Sequence, residues 1–492
     1  MLFNSYGFIL AFLPLVLIGY LGLGKIGKQK AEILFLLLAN LSFAAFGGIY
    51  HCAVLLADLL VNFFIAGAVR NSEETKRKGI LTLGILFNLG VLFLFKYYNF
   101  FAENLNQIMW IKLPLHHLVQ PLGISFYTFG QIAYLVDCYR EKPDELQNGT
   151  YRYSLLEYAV YVSFFPKLIQ GPIMYHDELI PALRDPQKKK ADFTNLSRGF
   201  YAFALGLAKK VLLADTLAKI VDIGYNNIGA LSTGDAILVM VCYSLQIYFD
   251  FSGYCDMAYG IGYMLNLKLP INFNSPYKAV SITDFWDRWH MTLTRFFTRY
   301  LYIPLGGNRN GKARTMLNIM IVFLLSGLWH GADWTFILWG AFNGALMVLE
   351  RIFHVKEWKA FPGIRRITAF AISTFAWSIF RADSLRQVTG LWGRLLAGGR
   401  LSYAPFAECF NNLVEVSILR RIGLGGFMGN YPCGLLLLFT AVLVLACFFM
   451  KNTQEKVAAM QFTNRKALVT VVLLVWSILS LSEISEFIYF NF

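Results

Sequence analysis

The sequence predicts an all-α polytopic membrane protein, and three observations carry that reading. Of the 492 residues, 57% are hydrophobic and only 15% charged, with a mean hydropathy of +0.51. Soluble domains carry roughly 25% charged residues. Uncharged runs approach or exceed the ~17–25 residues needed to cross a bilayer. The cations behind the net charge of +14 gather in short segments between those runs, the pattern that keeps basic loops in the cytoplasm. A soluble α/β enzyme is excluded by this composition. The basic charge is explained by topology and calls for no nucleic acid.

Residues 8–24 form the first span. No basic segment precedes them and no small-residue cleavage site follows, so they are expected to stay. Lys25, Lys28 and Lys30 place the next loop in the cytoplasm and the N-terminus outside. Residues 33–50 return, and 52–69 cross again with Asp58 as their one charge. Arg70, Lys76, Arg77 and Lys78 mark a second cytoplasmic loop. Residues 79–95 form another span, and the aromatic stretch 97–118 reads as an interfacial segment on the outer side.

Residues 118–136 are uncharged but hold Pro121, Gly123, Ser125, Thr128 and Gln131. A helix so polar is expected among other helices and away from lipid. Pro166 and Gly171-Pro172 interrupt 153–172, which reads as a partial or re-entrant piece. Residues 176–190 read as a polar loop, and 199–225 as a helix with internal charge. Residues 235–267 are apolar but carry Asp250 and Asp256, which need partners at that depth; arginines or helix ends are expected to supply them. Further spans are expected at 333–349, 367–380, 431–450 and 467–482, with a non-spanning region at 381–429. The whole is expected to be one integral-membrane unit over 1–492, with N-terminal helices (1–117), a catalytic core (118–350) and C-terminal helices (351–492). About ten to twelve membrane segments result, re-entrant ones included.

The chemistry concentrates at 281–334. His330 ends the uncharged run 315–329, and an ionisable group at such depth marks a functional site by default. Ser326 precedes it by one helical turn, Trp329 and Trp334 flank it, and Gly327 and Gly331 leave room for close approach. Hydrocarbon disfavours the charged imidazole, and the neutral form is the one that accepts a proton as general base. A nucleophilic Ser326 is a further reading, although a shared helical face does not establish contact.

Taken as one helix, 284–300 puts Asp284, Arg288, Arg295 and Arg299 on one face and Phe285, Trp289, Leu293, Phe296 and Tyr300 on another. That predicts an interfacial helix with cations at the headgroups and aromatics in the acyl region. His290 projects away from the arginines, with Trp286 and Phe297. The turn-rich stretch 304–311 is a basic connector or, beside Arg309, a backbone-lined anion site. It lacks the spacing of a nucleotide-binding loop. The seven cysteines are scattered, and no metal-ligand spacing appears.

These residues form a recognisable set. The opening MLFNSYGFILAFLPLVL, QGPI at 170–173, YFDFSGYCDMAYGIGYML at 248–265 and NFNSPYKAVSITDFWDRWHMTLTRFFTRYLYIPLGGNR at 272–309 belong to it. So do LSGLWHGADWTFILWG at 325–340, WSIFRA at 377–382 and the terminal EFIYFNF. With these motifs the sequence resembles the membrane-bound O-acyltransferase family, in its branch of alginate O-acetylation (AlgI) and peptidoglycan O-acetylation (PatA) proteins.

The resemblance implies a ring of tilted helices around a thinned centre, with a funnel from each side. It places the family's intramembrane catalytic histidine on His330 and a second catalytic position on His290. Trp286, Trp329, Ser326, Arg288, Arg295 and Arg309 are the surrounding candidates for substrate contact. The implied reaction carries acetyl from cytoplasmic acetyl-CoA to an extracytoplasmic acceptor, with an SGNH-type transferase as partner, in the bacterial inner membrane. D-alanyl transfer onto teichoic acid (DltB-like) is the alternative within the family. A transporter without chemistry is the alternative outside it.

Overall fold

The computed structural model describes residues 1–109, 112–141, 151–355, 358, 361–424, 426, 430–481 and 487–488. The terminal motif at 486–492 therefore lies outside the described residues except for Phe487 and Ile488. Among the described residues every regular element is helical, as the composition predicts.

The chain opens with α1 (Leu13–Lys25), α2 (Gln29–Ala45), α3 (Ile49–Asn71) and α4 (Glu74–Met109). Next come α5 (Ile124–Arg140), α6 (Leu155–Ser163) and α7 (His176–Arg184). A bent pair follows, α8 (Phe193–Ala208) and α9 (Asp215–Asn226), ahead of the long α10 (Thr233–Met264). The short α11 (Ile282–Trp286) and α12 (Met291–Phe297) precede α13 (Gly311–His330), α14 (Trp334–Ile352) and α15 (Pro362–Arg381). After the short helices between 385 and 419, α16 (Gly434–Phe449) and α17 (Asn464–Leu479) close the chain.

Six helical stretches among the described residues are long and apolar enough to cross a membrane: Gly7–Lys25, α3, α4, α10, α13 and α14. Five of them are only 17–39% buried within the protein, whereas α10 is 89% buried. The five expose leucines and isoleucines, among them Leu15, Ile18, Leu83 and Leu86, as a lipid-facing surface does. α10 is instead enclosed by other helices, α8, α9, α15 and α16 among them. It contributes Tyr254, Met257 and Ile261 to one hydrophobic cluster, and Leu238, Val239 and Phe251 to another.

Small residues let α8 and α10 touch. A Cβ at Gly199 would sit 2.6 Å from the Gly260 carbonyl, and one at Gly253 2.8 Å from the Gly206 carbonyl. Between membrane helices, van der Waals contact and hydrogen bonds replace the hydrophobic drive, so such seams are favoured. This contact sets Lys209 and Lys210 against α10. A π-helical turn at Lys209–Ala214 turns both lysines onto Asp256 (2.6 Å) and Asp250 (2.8 Å). The buried carboxylates thus find lysines where arginines or helix ends were expected.

Other expectations hold or shift. α5 is buried along nearly its whole length, as its polar residues predict. Its Gln131 donates to Asp58 of α3, and Asn62 and Asn88 exchange hydrogen bonds beside it. The expected interfacial segment at 97–118 begins instead as the continuation of α4, because a π-helical turn at Phe93–Tyr97 seats Lys96 without ending the helix. The partial piece at 153–172 is a helix broken at Phe164, with Phe165–Ile173 buried in protein.

The polar loop expected at 176–190 is a helix followed by a 3-10 turn. Several of its polar groups find partners within the protein: His176 meets Asp137, Glu178 meets Arg295, Arg184 meets Glu157 and Lys189 meets Glu32, while Lys188 and Lys190 stay exposed.

Candidate functional site

His330 is the last residue of α13. The helix stops there because Gly331 takes an extended backbone and Asp333 caps α14, accepting from the Thr335 N–H at 2.8 Å. α13 and α14 touch backbone to backbone: a Cβ at Gly327 would collide with the Phe336 carbonyl, and one at Gly340 with that of Phe323. This close crossing brings Trp339 edge-on to His330, with ring centroids 5.3 Å apart. Trp329 (4.9 Å) and Phe380 of α15 (5.3 Å) complete an aromatic box around a buried imidazole. Ser326 is buried one turn earlier on the same helix. Trp334 instead lies half-exposed and donates to Asn104 at 3.0 Å, so it frames α4 rather than the box.

His290 reaches the same place by a different route. The single helix expected over 284–300 is broken. α11 ends at Trp286, and His290 adopts a left-handed backbone (φ +47°) before α12 begins. Asn272 is the cause. Its carbonyl accepts the Met291 N–H (3.0 Å), while its side-chain Oδ1 meets the Thr292 N–H (3.2 Å), the Thr292 hydroxyl (2.8 Å) and His290 Nδ1 (3.0 Å). The turn aims the buried His290 ring at Phe251 (4.8 Å) and Trp329 (6.3 Å). Trp329 therefore lies against both imidazoles. Trp286 packs against Trp339 at 5.6 Å, so it supports the far wall of the box.

The expected arginine face dissolves with the helix. Arg288 pairs with Asp284 (2.7 Å), Arg295 with Glu178 (2.5 Å) and Arg299 with Asp137 (2.9 Å). Arg295 also lies over the Tyr175 ring at 4.2 Å. Arg295 and Arg299 tie the segment to α7 and α5, Arg288 pairs within it, and each of the three meets a protein carboxylate. Phe285, Trp289, Leu293 and Phe296 are buried in protein, not in an acyl region. The interfacial reading fails because a helical-face argument assumes unbroken rotation. Arg309 is exposed in the loop after Gly306-Gly307.

One residue that the sequence reading passed over is central. Lys96, on α4, donates to the Trp329 carbonyl (2.6 Å), the His330 carbonyl (3.1 Å) and the Ser125 hydroxyl (3.4 Å). A cation at a helix C-terminus satisfies orphan carbonyls and complements the dipole. The signal was a lone lysine inside the otherwise apolar FLFKYY, read as the end of a span. Replacing Lys96 with methionine removes the ammonium from both carbonyls and leaves the Trp329 carbonyl the longer bond from the Tyr97 hydroxyl at 3.5 Å, a loss of ~1–3 kcal/mol. We expect a lower thermal unfolding midpoint in detergent and reduced turnover; an unchanged midpoint would show that the cap is dispensable.

The comparisons with known proteins identify the family. The model of MBOAT, the membrane-bound O-acyltransferase family, matches residues 63–380, which include both histidines. A peptidoglycan O-acetyltransferase of Helicobacter pylori is 38% identical, covering 100% of this chain and 98% of its own length. A probable alginate O-acetylase AlgI of Azotobacter vinelandii is 37% identical over 81% of this chain and 79% of that protein. A teichoic acid D-alanyltransferase of Bacillus subtilis is 28% identical over 53% of this chain and 66% of its own. With the aromatic box, its two imidazoles and these matches together, the chain belongs to the membrane-bound O-acyltransferase family and is a membrane-bound acyltransferase.

Proposed function

We propose that this protein moves an acetyl group from cytoplasmic acetyl-CoA across the membrane to a hydroxyl acceptor outside, for O-acetylation of a cell-surface or secreted polysaccharide. The observation that carries the proposal is the pair of buried histidines sharing Trp329, in a chain similar along its whole length to a peptidoglycan O-acetyltransferase. His330 is the general base. It takes the proton of the acceptor hydroxyl as that oxygen attacks the thioester carbonyl. The C–S bond of the tetrahedral intermediate then breaks, and the coenzyme A thiolate leaves with the proton that His330 held. His290 is the second catalytic residue, and Trp286, Trp329 and Ser326 line the substrate path. Arg288 and Arg295 support it through their ion pairs, and Arg309 offers a cation at the surface.

The lysines after 24 and 75 support an inner-membrane orientation with the N-terminus outside. An SGNH-type transferase on the outer side is the proposed partner that passes the acetyl to polymer. D-alanyl transfer remains the second reading, since a D-alanyltransferase matches about half of the chain; the acetyl reading has matches of greater length and identity.

The test is reconstitution in nanodiscs with radiolabelled acetyl-CoA on one side and polysaccharide plus partner on the other. Label is expected in the polymer. Label transfer from a D-alanyl carrier protein but not from acetyl-CoA would overturn the acetyl reading.

A further inference from the structure

Hydrogen bonding around Asn272 settles which nitrogen of His290 carries its proton. The backbone N–H of Thr292 can only donate, so the Asn272 atom it meets at 3.2 Å is the amide oxygen. The Thr292 hydroxyl accepts the Ile173 N–H (3.0 Å), which leaves its own hydrogen free to donate to that oxygen (2.8 Å). The amide nitrogen is turned the other way, towards Cys255 Sγ at 3.3 Å. An amide oxygen has no hydrogen to give. His290 Nδ1, 3.0 Å away, must therefore be the donor. In a neutral ring Nε2 then holds the lone pair, and it is buried with no hydrogen-bond partner among the described residues.

The backbone tells the same story. His290 is one of four non-glycine residues at positive φ among those described. A left-handed conformation is costly for a residue with a Cβ and persists only where surroundings over-determine it, often at functional sites. Here Asn272 holds residues 290–292 by both its main chain and its side chain.

We propose that Asn272 is a positioning residue: it locks His290 as the Nδ1–H tautomer, so that Nε2 accepts a hydrogen bond from an O–H or N–H of a substrate held beside His330. The placement rests on the acyltransfer reading above, but the tautomer does not. Both the acceptor hydroxyl and the amide N–H groups of an acyl-CoA arm have the required chemistry. The ionisable groups around the ring are Cys255, through Asn272, and His330, with Lys96 behind it.

Solid-state ¹⁵N spectra of the histidine-labelled full chain test the tautomer directly, with His290→Gln assigning the signal. A neutral Nδ1–H ring is expected, and a neutral Nε2–H ring would overturn the proposal whatever reaction the protein performs. Kinetics on acetyl-CoA test its consequence. Asn272→Leu is expected to lose roughly tenfold or more, within the range of general-base effects. Asn272→Asp keeps the acceptor oxygen and adds a charge that favours imidazolium, so it should retain most turnover while the acid limb of its pH profile moves to higher pH.

A raised KM for acetyl-CoA in Asn272→Leu assigns the bound group to the donor; a fall in kcat alone assigns it to the acceptor hydroxyl. If both variants keep the wild-type pH profile and lose only folded protein, Asn272 is structural and the inference fails. Absence of acetyl transfer by the wild type would instead sink the acyltransfer reading and leave the tautomer result standing.

Discussion

His330→Ala is expected to lose ~10²–10⁴-fold in acetyl transfer, the range that general-base catalysis supplies. His330→Gln keeps much of the shape and hydrogen-bonding capacity but cannot take a proton, so it should fail as well. Both variants should still insert and bind their partner. The box around the imidazole is built by Trp329, Trp339 and Phe380, and its walls are set by the Gly327–Gly340 crossing rather than by the histidine. The measurement is polymer acetylation at matched membrane levels, with partner pull-down as the folding control. Near-normal acetylation by His330→Gln would remove the base assignment and leave His290 as the candidate.

The largest effect on stability is expected far from the imidazoles, at Lys210→Met. The Lys210 ammonium lies 2.8 Å from both Asp215 and Asp250, and the Asp250 side chain is only 2% exposed. Removing one partner of a buried ion pair leaves an uncompensated charge and costs about 3–5 kcal/mol. The loss should spread, because Asp250 also accepts the Ile488 N–H at 3.0 Å and so holds the C-terminal segment against α10. Adding Asp250→Asn removes the stranded charge yet keeps an oxygen for Ile488, so the double variant should regain most of the stability. Thermal unfolding in detergent reads both. Equal melting of the single and double variants would mean that lost packing, not charge, causes the effect.

Both predictions begin from residues visible in the sequence, but to different degrees. His330 stood out because an ionisable group closed an uncharged run, and the cost of charge in hydrocarbon is the same wherever that run sits. Asp250 stood out for the same reason, yet its partner did not. Lys210, forty residues away, reaches it through a glycine seam and a π-helical turn, and neither is a local property of the sequence around Asp250. Lys96 was missed for a related cause. Its neighbours mark it as the edge of a span, and only the docking of α4 against the end of α13 makes it a helix cap.

Hydropathy, charge placement and motifs along the chain specify the class of the protein, the position of most long helices and the two histidines worth testing. The class, the helices and His330 follow from hydropathy over windows of about twenty residues and from the rarity of ionisable groups within them, whereas the role of His290 is implied by the family resemblance. How the histidines meet is set by packing between distant segments. The helical rotation assumed over 284–300 fails at His290, because Asn272 offers the backbone hydrogen bonds that a continuous helix would have made within itself. A contact made eighteen residues upstream outweighs local propensity, since it satisfies buried polar groups that water cannot reach. The arginines likewise read as a solvent-facing stripe until α5 and α7 bring carboxylates to them. A periodic pattern reports which side chains could share a face, and packing decides whether that face exists.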